Sequence, residues 1–565
     1  MWIFGFFTTF ALLKNMIKMK KIVLCNLLLV LALSGFSQTT PIKNVILLIT
    51  DGTSTSLLSC ARWYQTYLDS TKSTLCIDPY IKGLVRTNSS DAPIGDSAPT
   101  TSCYMTGQPS QTGFIATYPG KTDHDLAPVD ATKAYQPLTT LLEAAHQRQG
   151  KSTGLVFTCE FTHATPADCA AHTYSRGRYN MIAPQMVYND LDVVIGGGTS
   201  YLKEREREYL KSKGYNLFMD DLKGMRNCHQ APFWALFQPS NMPYWMEADT
   251  TAIPSLAECT EKAIDVLSKN PNGFFLMVEG SKVDWAAHDN DAKPALIEFL
   301  EFDKACKVAL DFAEKDGNTV VVIVPDHGTG ALTIGNTKSN HGYDRLSLKQ
   351  IMEPIDNYKI TLWSMREKLQ NTDTTQWPEL FETYFGIQIQ PAEMAFLMSA
   401  SDYNNSPIPK EQRQGNLSMV KMLSQVIYGR TYFGFTTFGH TIENVFFAMY
   451  HPQNDVLTGC PTNIELHQYL CRQMGLEGVL EELNEQNFVD HRKVFEGYNY
   501  KIDSLDKYHY RFTAKYKKNT LVFDSYTNYV TVNKKTYDVE SVLVYMPINQ
   551  TFYVPKELYR YLLLK

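Results

Sequence analysis

The 565-residue chain carries 53 Lys and Arg against 59 Asp and Glu, a formal net charge of −6, and 44% of its residues are hydrophobic. This slightly acidic balance leaves no electrostatic footprint for nucleic acid. The length exceeds that of a usual single domain, so one large α/β unit with additions is expected.

At the front, Met19-Lys20-Lys21, the apolar run 22–33 and Gly35-Phe36-Ser37 read as a signal peptide cut near Ser37-Gln38, with Met19 as the start. A periplasmic or secreted protein follows. The apolar run is short for a bilayer span, so no stable membrane span is expected in the mature chain. Cys25 falls in this segment and leaves ten of the eleven cysteines for an oxidising compartment, where disulfides are permitted and their pairing stays open.

Strand and helix patterns then alternate, which predicts a mostly parallel central sheet flanked by helices. The apolar run 44–50 delivers Asp51-Gly52. In Gly95-Asp96-Ser97-Ala98-Pro99, Ser97 opens a helical stretch, where free N–H groups and the helix dipole favour an alkoxide and a bound phosphate. Asp-Ser at such a place is also an ordinary capping sequence. Residues 138–149 read as an amphipathic helix and 152–158 as a strand. Residues 192–195 read as a strand closed by Gly196-Gly197-Gly198, which lacks the spacing of a nucleotide-binding fingerprint.

A helix over 255–270 precedes the apolar run 274–277, which ends in Val278-Glu279-Gly280. Asp284 and His288 follow, four apart and therefore on one face of a helical turn. A helix over 294–315 leads to the strand 319–325, which delivers Asp326-His327. A lone Asp after a strand is ordinarily a helix cap. Three apolar strands each ending in a carboxylate bring those groups to the edge where open α/β sheets bind ligands, and imply one shared metal-bearing site.

Residues 345–430 break the alternation with polar, Asn- and Gln-rich loops and helices, and read as an inserted cap beside the site. From about Val494 come short alternating runs at 520–523, 529–532 and 542–545, separated by Asn533-Lys534-Lys535 and Asn549-Gln550. These predict small antiparallel hairpins in an accessory module. The expected division is thus a signal segment 1–37, a catalytic region 38–493 containing the cap, and a β-rich module 494–565.

Taken in order, these segments resemble the alkaline phosphatase family over roughly residues 41–475. Asp51-Gly52 matches its strand-Asp-Gly opening, Asp96-Ser97-Ala98 its nucleophile motif, and Ala164-Thr165-Pro166-Ala167 its Ala-Thr/Ser-Pro-Ala segment. Ser175-Arg176 matches its phosphate-binding arginine, followed by its Val-Glu-Gly segment, its Asp-His pair, and a Gly-rich segment that carries the last histidine, His440. The resemblance implies hydrolysis of small phosphate monoesters to an alcohol and inorganic phosphate, through a phosphoserine on Ser97, with Arg176 pairing two phosphate oxygens. It implies one Zn²⁺ on Asp284, His288 and His440, and a second on Asp51, Asp326 and His327. One Mg²⁺ is implied on Asp51, Thr165 and Glu279, with Asp51 bridging. A homodimer is a further expectation.

Three positions depart from the family pattern. His163 stands near the third metal where the enteric bacterial type has an aspartate, which leaves open a borderline metal such as zinc or cobalt there. Trp285 replaces a lysine that neighbours the phosphate, and Thr329 stands where many members have a histidine just beyond the Asp-His pair. A phosphodiesterase or sulfatase of the same superfamily would share the sheet, and Ser97-Ala98-Pro99 mimics the start of a sulfatase motif. Thr101 occupies the place where that motif needs arginine. A non-enzymatic phosphate-binding protein would tolerate missing ligands, and none of the main ones is missing.

Overall fold

In Asn44–Thr50 all seven residues are buried, five of them Val, Ile or Leu in succession. A strand covered on both faces needs such a run, because neither set of alternate side chains meets water. The computed structural model describes residues 42–413 and 417–564. Its nine-stranded sheet comprises β1 (Asn44–Thr50), β2 (Ile81–Val85), β3 (Ser152–Glu160), β4 (Val193–Gly197), β5 (Asn216–Met219), β6 (Phe233–Leu236), β7 (Phe274–Gly280), β8 (Thr319–Pro325) and β9 (Val445–Tyr450). The strand order is β2-β9-β8-β1-β7-β3-β4-β6-β5. Within this sheet β9 pairs antiparallel with β2 and β8, and the other pairings are parallel.

Alternate residues of β1 feed two cores. Ile46 and Leu48 pack on the side of Ala263 and Phe299, from the helices Leu256–Leu267 and Ala292–Asp316. Val45, Leu47 and Ile49 pack on the side of Leu141 and Leu466, from the helices Leu141–Gln149 and Asn463–Met474. This is the α/β architecture that the alternation predicts.

Element ends differ from the sequence reading for local reasons. The helix expected over 138–149 starts at Leu141 because Thr140 caps it: its hydroxyl accepts from the Glu143 N–H while Glu143 accepts from the Thr140 N–H. The helix expected over 255–270 spans Leu256–Leu267, with Ser255 accepting from the Glu258 N–H. The helix expected over 294–315 is longer, Ala292–Asp316, and stops at Gly317, whose φ of 69° suits a left-handed end. β3 runs past the predicted 158 to Glu160, so its end carries Cys159 to the same sheet edge as the acids.

Residues 345–430 contain the helices Leu348–Asp356, Leu362–Gln370, Trp377–Phe385, Pro391–Met398 and Met419–Tyr428. Their buried faces, with Met352, Leu362, Trp377 and Leu423, join the core on the Phe299 side of the sheet. Two acids fasten the second of these helices. The Leu362 N–H donates to Asp291 Oδ2 at 2.7 Å, and the Thr361 N–H donates to Glu247 Oε1 at 2.8 Å.

Beyond this, Asn499–Ser504, Tyr510–Tyr516, Asn519–Asp524, Tyr529–Val532 and Lys535–Asp538 form an antiparallel five-stranded sheet. Asn533 and Lys534 both take positive φ, 49° and 74°, as a two-residue hairpin turn that matches strand twist requires. A smaller sheet joins Val489–Asp490, Thr551–Val554 and Val544–Met546. Their shared core of Phe512, Phe523 and Phe552 also takes in Met181 and Tyr188 of the helix Tyr179–Tyr188. All ten described cysteines are free thiols. The segment read as a signal peptide lies outside the described residues. Among the described residues no helix is long and apolar enough to cross a membrane.

Candidate active site

Strand register places the acids side by side. β1 lies between β8 and β7, with Thr50 opposite both Pro325 and Gly280, so Asp51 and Asp326 leave neighbouring strands at one level. Glu279 lies opposite Ile49, one residue inside the edge. The chain turns at Gly52, where φ is 64° and an added Cβ would come within 2.3 Å of Asp284 Oδ1. Glycine here therefore serves two needs, a left-handed turn and room for the Asp284 carboxylate. The Gly52 and His327 N–H groups both donate to Asp326 Oδ1, at 3.0 and 2.9 Å, which leaves Asp326 Oδ2 free to face the cluster.

Ser97 is the first residue of the helix Ser97–Thr106, with Asp96 at the N-cap position and Gly107 closing the other end at φ 67°. The whole helix is buried, and the Tyr104 hydroxyl fastens it to the Pro325 carbonyl at 2.9 Å. The Ser97 hydroxyl thereby reaches Asp51 Oδ1 at 3.3 Å and His327 Nε2 at 3.2 Å, with 1% of the residue exposed. Arg176 Nη1 donates to Asp96, and Arg176 Nη2 donates to His163 Nε2 at 3.0 Å. Asp96 thus holds the arginine rather than capping its own helix.

The sequence-predicted histidines and acids converge in four overlapping groups. Asp284, His288 and His440 bring ligand-type atoms within 4.8 Å of one another, as do Asp51, Asp326 and His327. His288 Nδ1–H donates to the Phe438 carbonyl at 2.7 Å and His440 Nδ1–H to the Gly95 carbonyl at 2.8 Å. In neutral imidazoles both Nε2 atoms then carry lone pairs, and they face each other at 3.0 Å. Two imidazole lone pairs at that separation repel unless a cation lies against both. Thr329, the residue in place of a histidine, donates to Asp284 Oδ1 at 2.6 Å and fixes that carboxylate.

The third group joins Cys159, His163 and Glu279. Cys159 was not singled out in the sequence, where it directly follows the strand expected over 152–158; its nearness to Glu279 comes from the pairing of that strand with β7. Burial and Glu279 push its thiol pKa well up, and the thiol donates to Glu279 Oε2 at 3.3 Å. Thr165 lies in the short helix Ala164–Ala167 with a buried hydroxyl. Asp96, which the sequence reading took as a cap, groups with His327 and His440.

The electrostatics are those of an anionic cluster short of positive charge. Burial, then Asp326, Asp284 and Glu279, push Asp51 well above the ordinary carboxylate range. Burial raises Glu279 to about 8. Burial also acts on Asp284, but the imidazoles of His288, His327 and His440 outweigh it and hold this acid at about 2. Burial and Arg176 depress His163 to about 3, so it is neutral and can accept from the guanidinium. Asp51 Oδ2, Asp326 Oδ2, Glu279 Oε1 and Thr165 Oγ1 are all buried without a hydrogen-bond partner. Buried oxygens left unpaired are costly, and carboxylate with imidazole is a donor set for divalent ions, so these residues fit the cations expected from the sequence.

Comparison with known proteins places this arrangement. The family model for alkaline phosphatase matches residues 42–476. The chain is 34% identical over 441 residues to alkaline phosphatase 3 of Bacillus subtilis, covering 75% of this chain and 87% of that protein. It superposes on the crystal structure of a cold-active alkaline phosphatase from Shewanella with a TM-score of 0.64 and 28% identity, covering 77% of this chain and 99% of that one. A solved variant of the alkaline phosphatase from the Antarctic bacterium TAB5, which has magnesium bound, shares the fold at 23% identity and a TM-score of 0.52, covering 78% and 99%.

Proposed function

Since this chain belongs to the alkaline phosphatase family and is a phosphatase of phosphate monoesters, we propose that Ser97 is its nucleophile and that hydrolysis passes through a phosphoserine. The observation that carries this reading is the Ser97 hydroxyl, seated at a helix N-terminus and within 3.3 Å of both Asp51 and His327. Helix N–H groups stabilise negative charge on the attacking oxygen and on phosphate. Asp51, Asp326 and His327 would hold one zinc, Asp284, His288 and His440 another, and Asp51, Thr165 and Glu279 a magnesium. Such ions supply Lewis-acid stabilisation of the attacking and leaving oxygens.

The chain's own residues do the rest. Ser97 Oγ forms the bond to phosphorus as the alkoxide leaves, and water later cleaves that bond to release inorganic phosphate. Arg176 is presented as a planar fork by Asp96 and His163, and can exchange those partners for two phosphate oxygens. His163 acts through Arg176 in this reading and lies beside the magnesium residues.

The same reading takes 38–493 as the catalytic region with a cap at 345–430, 494–565 as an accessory module, and the protein as secreted or periplasmic. Ser97→Ala tests the centre of it. The variant should keep its metal content and lose at least about 10³-fold in kcat, and acid quench of the wild type should trap labelled phosphate on Ser97. Full turnover in the alanine variant would remove the covalent step.

A further inference from the structure

Next to the metal-type cluster lies a cavity of about 490 Å³, within the range that holds small organic ligands. His288 belongs to both. The cavity wall carries three aromatic rings, Tyr244, Trp285 and Trp363. Lys282, itself part of the cavity wall, joins two of them: its Nζ lies 4.6 Å from the Trp285 ring and 4.2 Å from the Tyr244 ring, and donates to Asn241 Oδ1 at 2.7 Å. Trp363 comes from the inserted cap, in the helix that Asp291 and Glu247 fasten at its N-terminus. Fastening that end fixes the tryptophan at the cavity, where 48% of it stays exposed.

On this clamped helix Trp363 carries the Arg366 guanidinium on its ring, 5.1 Å from the centroid, and shares the cavity wall with the two other rings. Asp289 lines the same cavity, and among the described residues its carboxylate accepts no hydrogen bond. Flat rings and a free acceptor together suit a leaving group with an aromatic face and hydroxyl or amino donors. We propose that this cavity binds the alcohol portion of the substrate and selects nucleoside monophosphates, the base stacking against Trp285 and Trp363 and the sugar hydroxyls donating to Asp289. The proposal rests on the phosphatase reading of the neighbouring site and adds to it a substrate class.

The test compares kcat/KM for adenosine 5′-monophosphate with that for glycerol 2-phosphate, in the metal-replete full-length protein. Wild type should favour the nucleotide. Trp363→Ala should lower the ratio about tenfold, as loss of one base–aromatic stack of about 1.4 kcal/mol implies, and Trp363→Phe should restore most of it. A ratio unchanged by Trp363→Ala overturns the pocket. Calorimetric binding of adenosine 5′-monophosphate to Ser97→Ala protein, with and without Trp363→Ala, reads the pocket apart from the chemistry. Weaker binding in the double variant supports it even where the covalent step fails, and equal binding overturns it.

Discussion

The carboxyl edge of the central sheet and the core of the C-terminal β region are both buried, yet they handle charged groups differently. At the sheet edge, oxygens of Asp51, Glu279 and Asp326 are sealed from water without partners. In the C-terminal region, no buried carboxylate or imidazole lacks a partner among the described residues. There, Asn528 donates to Asp190 at 2.9 Å and accepts from the Tyr209 hydroxyl at 3.1 Å, tying the region to the rest of the chain. One region leaves carboxylate oxygens for a ligand to finish, whereas the atoms left without partners in the other, Ser541 Oγ and Asn549 Oδ1, are neutral. On the proposed function the first would carry chemistry at a cost in stability, and the second adds packed apolar core.

Asp51→Asn should break the contrast most sharply. It removes a group shared by two proposed metal sites, so activity should fall by about 10³-fold or more and bound metal should drop in elemental analysis. The metal-free variant should nevertheless be no less stable than metal-free wild type. A carboxyl whose folded pKa is raised above its unfolded value holds its proton more tightly when folded. Stability of the metal-free wild type therefore falls as pH rises out of the ordinary carboxylate range, and the amide abolishes that part of the slope. Unfolding midpoints of the two proteins at several pH values check it; a variant less stable at neutral pH would contradict the account.

The converse variant is Phe512→Ala. Phe512 is fully buried and stacks on Phe523 with ring centroids 4.7 Å apart. Its truncation should cost about 3–5 kcal/mol in denaturant unfolding while turnover per folded molecule holds. Lost activity in protein that remains folded would show that the β region shapes the site.

A smaller effect is expected from His163→Asp, which adds negative charge beside the Cys159–Glu279 group. Magnesium affinity should rise by about tenfold, read by titrating metal-stripped protein with magnesium and with cobalt. Equal magnesium affinity in variant and wild type would dissociate His163 from the third site.

Much of the sheet and its edge was legible in the sequence because strand burial leaves long apolar runs, and Asp51, Glu279 and Asp326 stand at their ends. The proposed ligands His288 and His440 were legible singly, by motif, but not the 3.0 Å approach of their Nε2 atoms. That approach depends on the Phe438 and Gly95 carbonyls, which orient the rings from loops with no periodic pattern. Asp96 read as a cap because an Asp before a helix usually is one; Arg176, far along the chain, diverts it. The segment 345–430 was legible as a break in alternation that includes helices, whereas the place of the helix bearing Trp363 depends on anchors at Glu247 and Asp291 that no local pattern announces.

The facing pair His288 and His440 also has a topological consequence. They stand 152 positions apart in sequence, and all of residues 345–430 lie between them. A cation gripped by both closes that stretch into a loop, and a cross-link over so long a loop removes several kcal/mol of disorder from the unfolded chain. An ion serving the reaction would then also be a stitch that holds residues 345–430 against the sheet, so that losing it would release the chain as well as the chemistry.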